Sequence, residues 1–211
     1  MRPIPLLPIA VIAAASALTA CGPSPVAGSP APTRPAALAY VLSVPDSVNG
    51  DPIVTDPTGA ATQQMSTALG KAMSDTGVTG ATVRGLYDDA ADDAWLVVLG
   101  VNGRGFTPRR MLTVYGAAPQ ERIDGTGDHV TVSGEPGTAG PHGGSAICQQ
   151  ILLESGGLAV EQSACYWLTP TTFGLITLYP KHDGDQWGFG WPATKIDALM
   201  GTVRPEVEHQ A

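Results

Sequence analysis

Apolar residues recur along this chain in two rhythms, one close to a helical period and one alternating. Met65, Ala68, Leu69, Ala72 and Met73 fall on one stripe at helical spacing. Asp56-Pro57 supplies an N-cap followed by a first-position proline, and Gly77 ends the run, so a helix is predicted over about 58–75. A shorter helix follows Thr107-Pro108, with Met111, Leu112, Val114 and Tyr115 in its span and Gly116 at its end. A last helix opens at Pro192 and carries Ile196, Leu199, Met200 and Val203 on one face. Strands are predicted at 39–44, 81–87, 94–101, 129–132 and 173–179. The 94–101 stretch, AWLVVLGV, is apolar almost without interruption, as expected of a strand covered on both faces. Residues 133–144 are rich in glycine and proline and read as a loop.

The stretch SAICQQILLESGGLAVEQSACYW, residues 145–167, carries more detail. Gly156-Gly157 is a two-residue hairpin turn, and folding the chain there sets Cys148 opposite Cys165. Counted out from the turn, that pair is non-hydrogen-bonded, with Cα atoms about 4.5 Å apart. This lies within disulfide reach. The same register places Ile147, Ile151, Leu153, Val160, Ala164 and Tyr166 on one face, and the cysteines, Gln150, Glu161, Ser163 and Trp167 on the other. A second arrangement stays open, in which CQQILLE is a helical turn or two joined to Cys165 by a loop, with the disulfide kept. Together the elements describe an α+β fold: one domain over 38–206, with a mostly antiparallel sheet of five to six strands, two to three packed helices and a tail at 207–211.

The N-terminus is an address. Arg2 precedes a short apolar run, Ile9 to Ala20, which at about a dozen residues is too short to span a bilayer. A charged start, a short apolar core and small residues before a break describe a signal peptide over 1–20. Leu18-Thr19-Ala20-Cys21 resembles the lipobox of bacterial lipoproteins. That resemblance implies a diacylglyceryl group on Cys21, further acylation of palmitate type, and residence on the outer face of the cytoplasmic membrane. Two or more acyl chains anchor a protein stably. Residues 21–37 are Gly, Pro, Ser, Ala and Thr with little else, a flexible tether. With Cys21 assigned to lipid, Cys148 and Cys165 remain as an even pair in an oxidising compartment.

Charge and composition narrow the partners. The chain carries 19 acidic and 11 basic residues, a formal −8 that becomes −9 when Arg2 leaves with the signal peptide. An acidic domain without a basic patch is a poor nucleic-acid binder, so none is expected. Membrane attachment falls to the lipid rather than to charge. DDAADD, residues 88–93, sets four carboxylates in a turn, but the EF-hand pattern is missing and acidic residues favour turns by themselves, so no metal or cofactor is expected. Arg109 and Arg110, at the start of the second helix, oppose its dipole and read as partners for carboxylates elsewhere. No nucleophile elbow, zinc-binding helix or phosphate loop occurs. His129, His142, His182 and His209 are scattered, and no catalytic residue is assigned. Trp187, Phe189 and Trp191, alternating with glycine or its neighbours, form a candidate binding patch or a cover for the sheet edge.

GGSAIC (143–148), ACYWLTPTTFGLITL (164–178) and VRPEVEH (203–209) resemble a group of exported actinobacterial proteins with paired cysteines, a Cys-x-Trp-x-Asp-x-x-Thr-x-Gly segment and an Arg-x-x-Val ending. Cys165, Trp167, Thr172, Gly174, Arg204 and Val207 match, while Thr169 stands where the group has aspartate. The resemblance implies the disulfide and no activity. The function expected is a lipid-anchored accessory domain of the cell envelope that binds a protein, an envelope glycan or a small ligand. The alternatives are a carrier of a small ligand or metal and an envelope enzyme. A concave site with convergent polar groups marks an enzyme or a ligand carrier, and a flat exposed aromatic patch marks a protein partner.

Overall fold

The computed structural model describes residues 39–55, 60–104, 106–116, 119–123, 127–156, 158–181 and 190–211. The signal segment, Cys21, the tether, Asp56-Pro57 and residues 182–189 lie outside them. In chain order the elements are β1 (Tyr40–Leu42), β2 (Ser47–Val48), β3 (Asp51–Pro52), α1 (Ala60–Thr76), β4 (Gly80–Asp89), β5 (Ala94–Gly103), α2 (Pro108–Tyr115), β6 (Gln120–Ile123), β7 (His129–Pro136), β8 (Ser145–Ser155), β9 (Leu158–Leu168), β10 (Thr172–Pro180), α3 (Ala193–Val207) and β11 (Glu208–Gln210).

Seven strands form one antiparallel sheet in the order β4-β5-β10-β9-β8-β7-β6, with ribbons β1-β11 and β2-β3 beside it. The sheet is the core's partition. On one face α3 sets Ile196, Met200, Val203 and Val207 against Leu96, Val98, Trp167, Ile176 and the cysteines. On the other, Met65, Leu69 and Ala72 of α1 and Met111 and Tyr115 of α2 pack on Val97, Leu99, Tyr166 and Leu175. Each such large side chain contributes roughly 1.5–3 kcal/mol by leaving water. Covering both faces explains why β5, flanked by β4 and β10, reads as a near-continuous apolar run. Ala37–Ala211 is one compact unit.

The hairpin register is the one the glycine turn dictates: Ser155 pairs with Leu158, Ile151 with Gln162 and Cys148 with Cys165. The helical alternative for CQQILLE is thereby set aside. Gly156 turns with φ 55°, in the left-handed region that favours glycine. Cys148 and Cys165 are joined, with Cα atoms 4.0 Å apart.

Five strands depart from the sequence reading. Strand β6 was not expected at all. Strand β7 runs on to Pro136, so the loop expected over 133–144 starts later. Segment 47–52 forms the β2-β3 ribbon. Glu208–Gln210, placed in a tail, is a strand paired with β1: Tyr40 with Gln210, Val41 with His209, Leu42 with Glu208.

Candidate functional site

Trp167, Thr172 and Arg204 converge on Glu208. Its side chain is fully buried, as is that of Arg204 to within 1 %. Trp167 Nε1 donates to Glu208 Oε1 at 3.1 Å, Thr172 Oγ1 donates to the same oxygen, and Arg204 Nε donates to Oε2 at 2.7 Å. His142 Nδ1 lies 3.1 Å from Oε2, and its ring stacks on Tyr40 at 4.8 Å. Arg204 Nη1 also donates to the Ala139 carbonyl. Gly174 is required by this packing, since a Cβ there would fall 2.1 Å from the Trp167 ring. Thr169 Oγ1 accepts from the Thr171 and Thr172 backbone N–H groups at 3.3 and 3.0 Å. Threonine at 169 closes this turn without a charge. These contacts tie β11, the end of α3, the β9-β10 turn and the 137–144 loop together. They fully occupy Glu208.

The acidic turn is occupied as well. Asp89 Oδ1 accepts from Ala91 N at 3.1 Å and Asp92 N at 3.0 Å, the expected turn chemistry. Asp88 pairs with Lys181, and Asp92 with Lys195. Asp51, on β3, has its carboxyl pushed above the usual carboxylate range by burial first and by Asp89 and Asp88 next. His129 and Asp88, on strands five places apart in the sheet, are roughly 24 Å from meeting. Among the described residues Arg110 pairs with no carboxylate: its Nε donates to the Asp75 backbone carbonyl, at the C-terminal end of α1, where a cation is favoured. Trp167 packs in the core that also holds both cysteines, as the face assignment predicts. Asp197 Oδ1 lies 3.7 Å from Cys148 Sγ and accepts from Thr138 N at 2.7 Å.

A concavity remains where the sheet comes apart. The β9-β10 ladder runs only from Leu168–Phe173 to Ala164–Thr177, although β9 extends back to Leu158 and β10 on to Pro180. Beyond that last pair the two strands diverge. Thr177 Oγ1 donates to the Ser163 carbonyl at 2.6 Å, satisfying an acceptor at the fork. Above the fork, on the α1 side, lies a depression of about 300 Å³. Met65, Ala68, Val97 and Leu99 give it apolar walls, and Gln63, Thr67, Gln162, Thr177 and Tyr179 supply polar groups. Among the described residues no charged side chain lines it. A second depression of about 190 Å³ shares Ala68, Gln162 and Thr177 with the first and runs toward Tyr115 and Tyr166. Those rings stack at 4.1 Å. Burial raises both phenol pKa values far above the ordinary tyrosine value, so both hydroxyls stay protonated at neutral pH. The charges at this end, Lys71 and Asp75, pair with each other at 2.6 Å.

A third depression, of about 150 Å³, shares Gln162 and Tyr179 with the first and is lined by Val160, Glu161, Leu178, Gly190 and Trp191. Trp191 therefore lines a concavity. Trp187 and Phe189, the rest of the expected patch, lie outside the described residues. Gly190 passes so close to β9 that a Cβ would fall 1.4 Å from the Glu161 carbonyl oxygen. The sequence signal for these concavities was weak: Gln149 and Gln162, facing α1 on otherwise apolar strands, were the only hint.

Comparison with protein-family models, with curated proteins and with solved structures returns no match.

Proposed function

We propose that this protein is a lipid-anchored binding module of the cell envelope, held by Cys21 on the outer face of the cytoplasmic membrane. Its ligand is a neutral, largely apolar small molecule seated between α1 and the sheet. The observation that carries the reading is the joined pair of depressions about Ala68, Gln162 and Thr177. Their size is at the lower end of small-ligand sites, and their lining, apolar with a few hydrogen-bonding groups, is of the kind such sites have. Charge supports neutrality: in a chain of formal charge −8, the one pair of charges at this site is self-neutralised. The lipobox and tether support the location. A concave site favours a ligand carrier or an enzyme over a protein-docking patch, and of these we propose the carrier.

The test is native mass spectrometry of the protein isolated from its own membranes, with a peptide map covering Cys21. The reading expects a diacylglyceryl-bearing N-terminal cysteine and one neutral molecule bound per chain, lost on Ala68→Trp. An unmodified Cys21 would refute the anchor. A parent protein with no adduct, or an adduct unchanged by A68W, would refute the site.

A further inference from the structure

Among the described residues, four buried side-chain atoms find no hydrogen-bond partner: Asp51 Oδ2, Glu161 Oε1, Ser163 Oγ and Arg204 Nη2. Two of them are neighbours. Glu161 and Ser163 are two residues apart on β9, so their side chains leave the same face of the strand, the face that also carries Cys165. Moving along that face from Trp167, the chain meets Cys165, whose sulfur lies 3.8 Å from the Ala193 carbonyl at the start of α3, then Ser163, then Glu161. Glu161 and Trp191 line the third depression together. Buried polar groups in native proteins are nearly always paired, and an unpaired one calls for a missing partner. An unpaired carboxylate oxygen is the costly case, because an ionised group loses more on leaving water than a neutral one.

Among the described residues, neither Lys181 nor Lys195 is paired with Glu161. Lys181, one residue past β10, pairs with Asp88, and Lys195, in the first turn of α3, pairs with Asp92. Both pairings point to the β4-β5 turn. What remains at the third depression is an acceptor without a donor and an indole. That set is complementary to an ammonium group. The carboxylate accepts its N–H bonds in a charge-assisted pair, and an aromatic ring attracts a cation.

We propose that Glu161 and Trp191 form a binding subsite for a primary ammonium group, carried by a small amine or by the amino end of a larger ligand. It lies beyond the apolar depression under α1 and does not depend on what that depression holds. The depression's volume of about 150 Å³ admits a head group and a short stem only.

The test uses the full chain and two probes of one skeleton, hexylammonium and 1-hexanol, titrated by calorimetry in 0.5 M NaCl. High salt screens loose attraction of a cation to an acidic surface, and a partly buried pair is screened less. Hexylammonium should bind saturably, at least about tenfold more tightly than 1-hexanol. Glu161→Gln should erase that preference and leave hexanol unchanged, with circular dichroism confirming the fold. Equal affinity of the parent chain for the two probes, no saturable ammonium binding, or a preference that survives in folded E161Q would each overturn the proposal. The probe comparison on the parent chain decides even if E161Q fails to fold.

Discussion

Trp167 and Glu208, 41 positions apart in sequence, meet in the core where the indole Nε1 donates to the carboxylate at 3.1 Å. Arg204 holds the other oxygen at 2.7 Å, so the ion pair sits on the end of α3 and the start of β11 with no access to water. Removing one partner of a buried pair costs about 3–5 kcal/mol, because the other is left uncompensated. Glu208→Ala should therefore lower unfolding stability by that amount and release β11 from β1. Chemical denaturation measures the first, and amide exchange at His209 and Gln210 the second. A loss below about 1 kcal/mol would mean that the pair does not organise this corner.

Gly174→Ala tests the same cluster sterically. The added Cβ would fall 2.1 Å from the Trp167 ring, which is itself fully buried. Overpacking of this kind costs roughly 1–3 kcal/mol. The expected signs are a lower melting temperature and an altered near-ultraviolet dichroism from the displaced indole. An alanine variant as stable as the parent would contradict the packing.

The Cys148–Cys165 bridge closes a sequence separation of 17 residues. A loop of that size is worth about 3 kcal/mol on chain-entropy grounds. The Cys148→Ala, Cys165→Ala double variant should lose that stability and keep the hairpin, since the register from Ser155–Leu158 to Ser145–Leu168 is set by eleven pairs. Denaturant unfolding, with and without reductant, reads the difference. The parent chain should shift on reduction and the double variant should not.

Two pH effects follow from burial. The Asp51 carboxyl is pushed upward, so the folded state holds its proton more tightly than the unfolded state. Its contribution to stability is therefore present below the ordinary value near 3.8 and falls as pH rises through the raised folded value. Asp51→Asn should stabilise at pH 7 by a small amount, raising the melting temperature by no more than about 2 °C, and lose that advantage below pH 4. Tyr87, whose hydroxyl donates to the Pro45 carbonyl, is pushed up to about 12 by burial, with Glu206 and Asp46 adding to it. Stability should accordingly fall as pH rises above about 10, the unfolded tyrosine value, and the parent should unfold in alkali earlier than Tyr87→Phe. Absorbance at 295 nm follows the phenolate, and scanning calorimetry follows the fold.

Much of the fold was legible because several local signals agreed. At the hairpin, a Gly-Gly turn, alternation and two cysteines all require one register. At α2, Thr107-Pro108 and Gly116 mark both ends, although Thr107 makes no side-chain cap bond. Strand β6 was not legible: QERI has no apolar run, and Ile123 at the sheet edge is 66 % exposed. Strand β11 escaped for a related reason. Glu-His-Gln reads as a solvated tail, and the burial of Glu208 depends on Arg204, Trp167 and Thr172, brought together only by the tertiary fold. The concavity depends on where β9 and β10 part, and strand composition carries no signal for that divergence.

The central claim, that the depression beneath α1 is a ligand site, is tested most directly with a neutral apolar dye. Nile red is titrated into the full chain and into Ala68→Trp, and emission is read at a fixed dye concentration. Ala68 is exposed on α1 and lines both joined depressions, so an indole there fills the cavity without disturbing the core. The account predicts one saturable site in the parent and at least about tenfold weaker binding in A68W, with unchanged dichroism. No saturable binding in the parent, or equal binding by the folded variant, would contradict it.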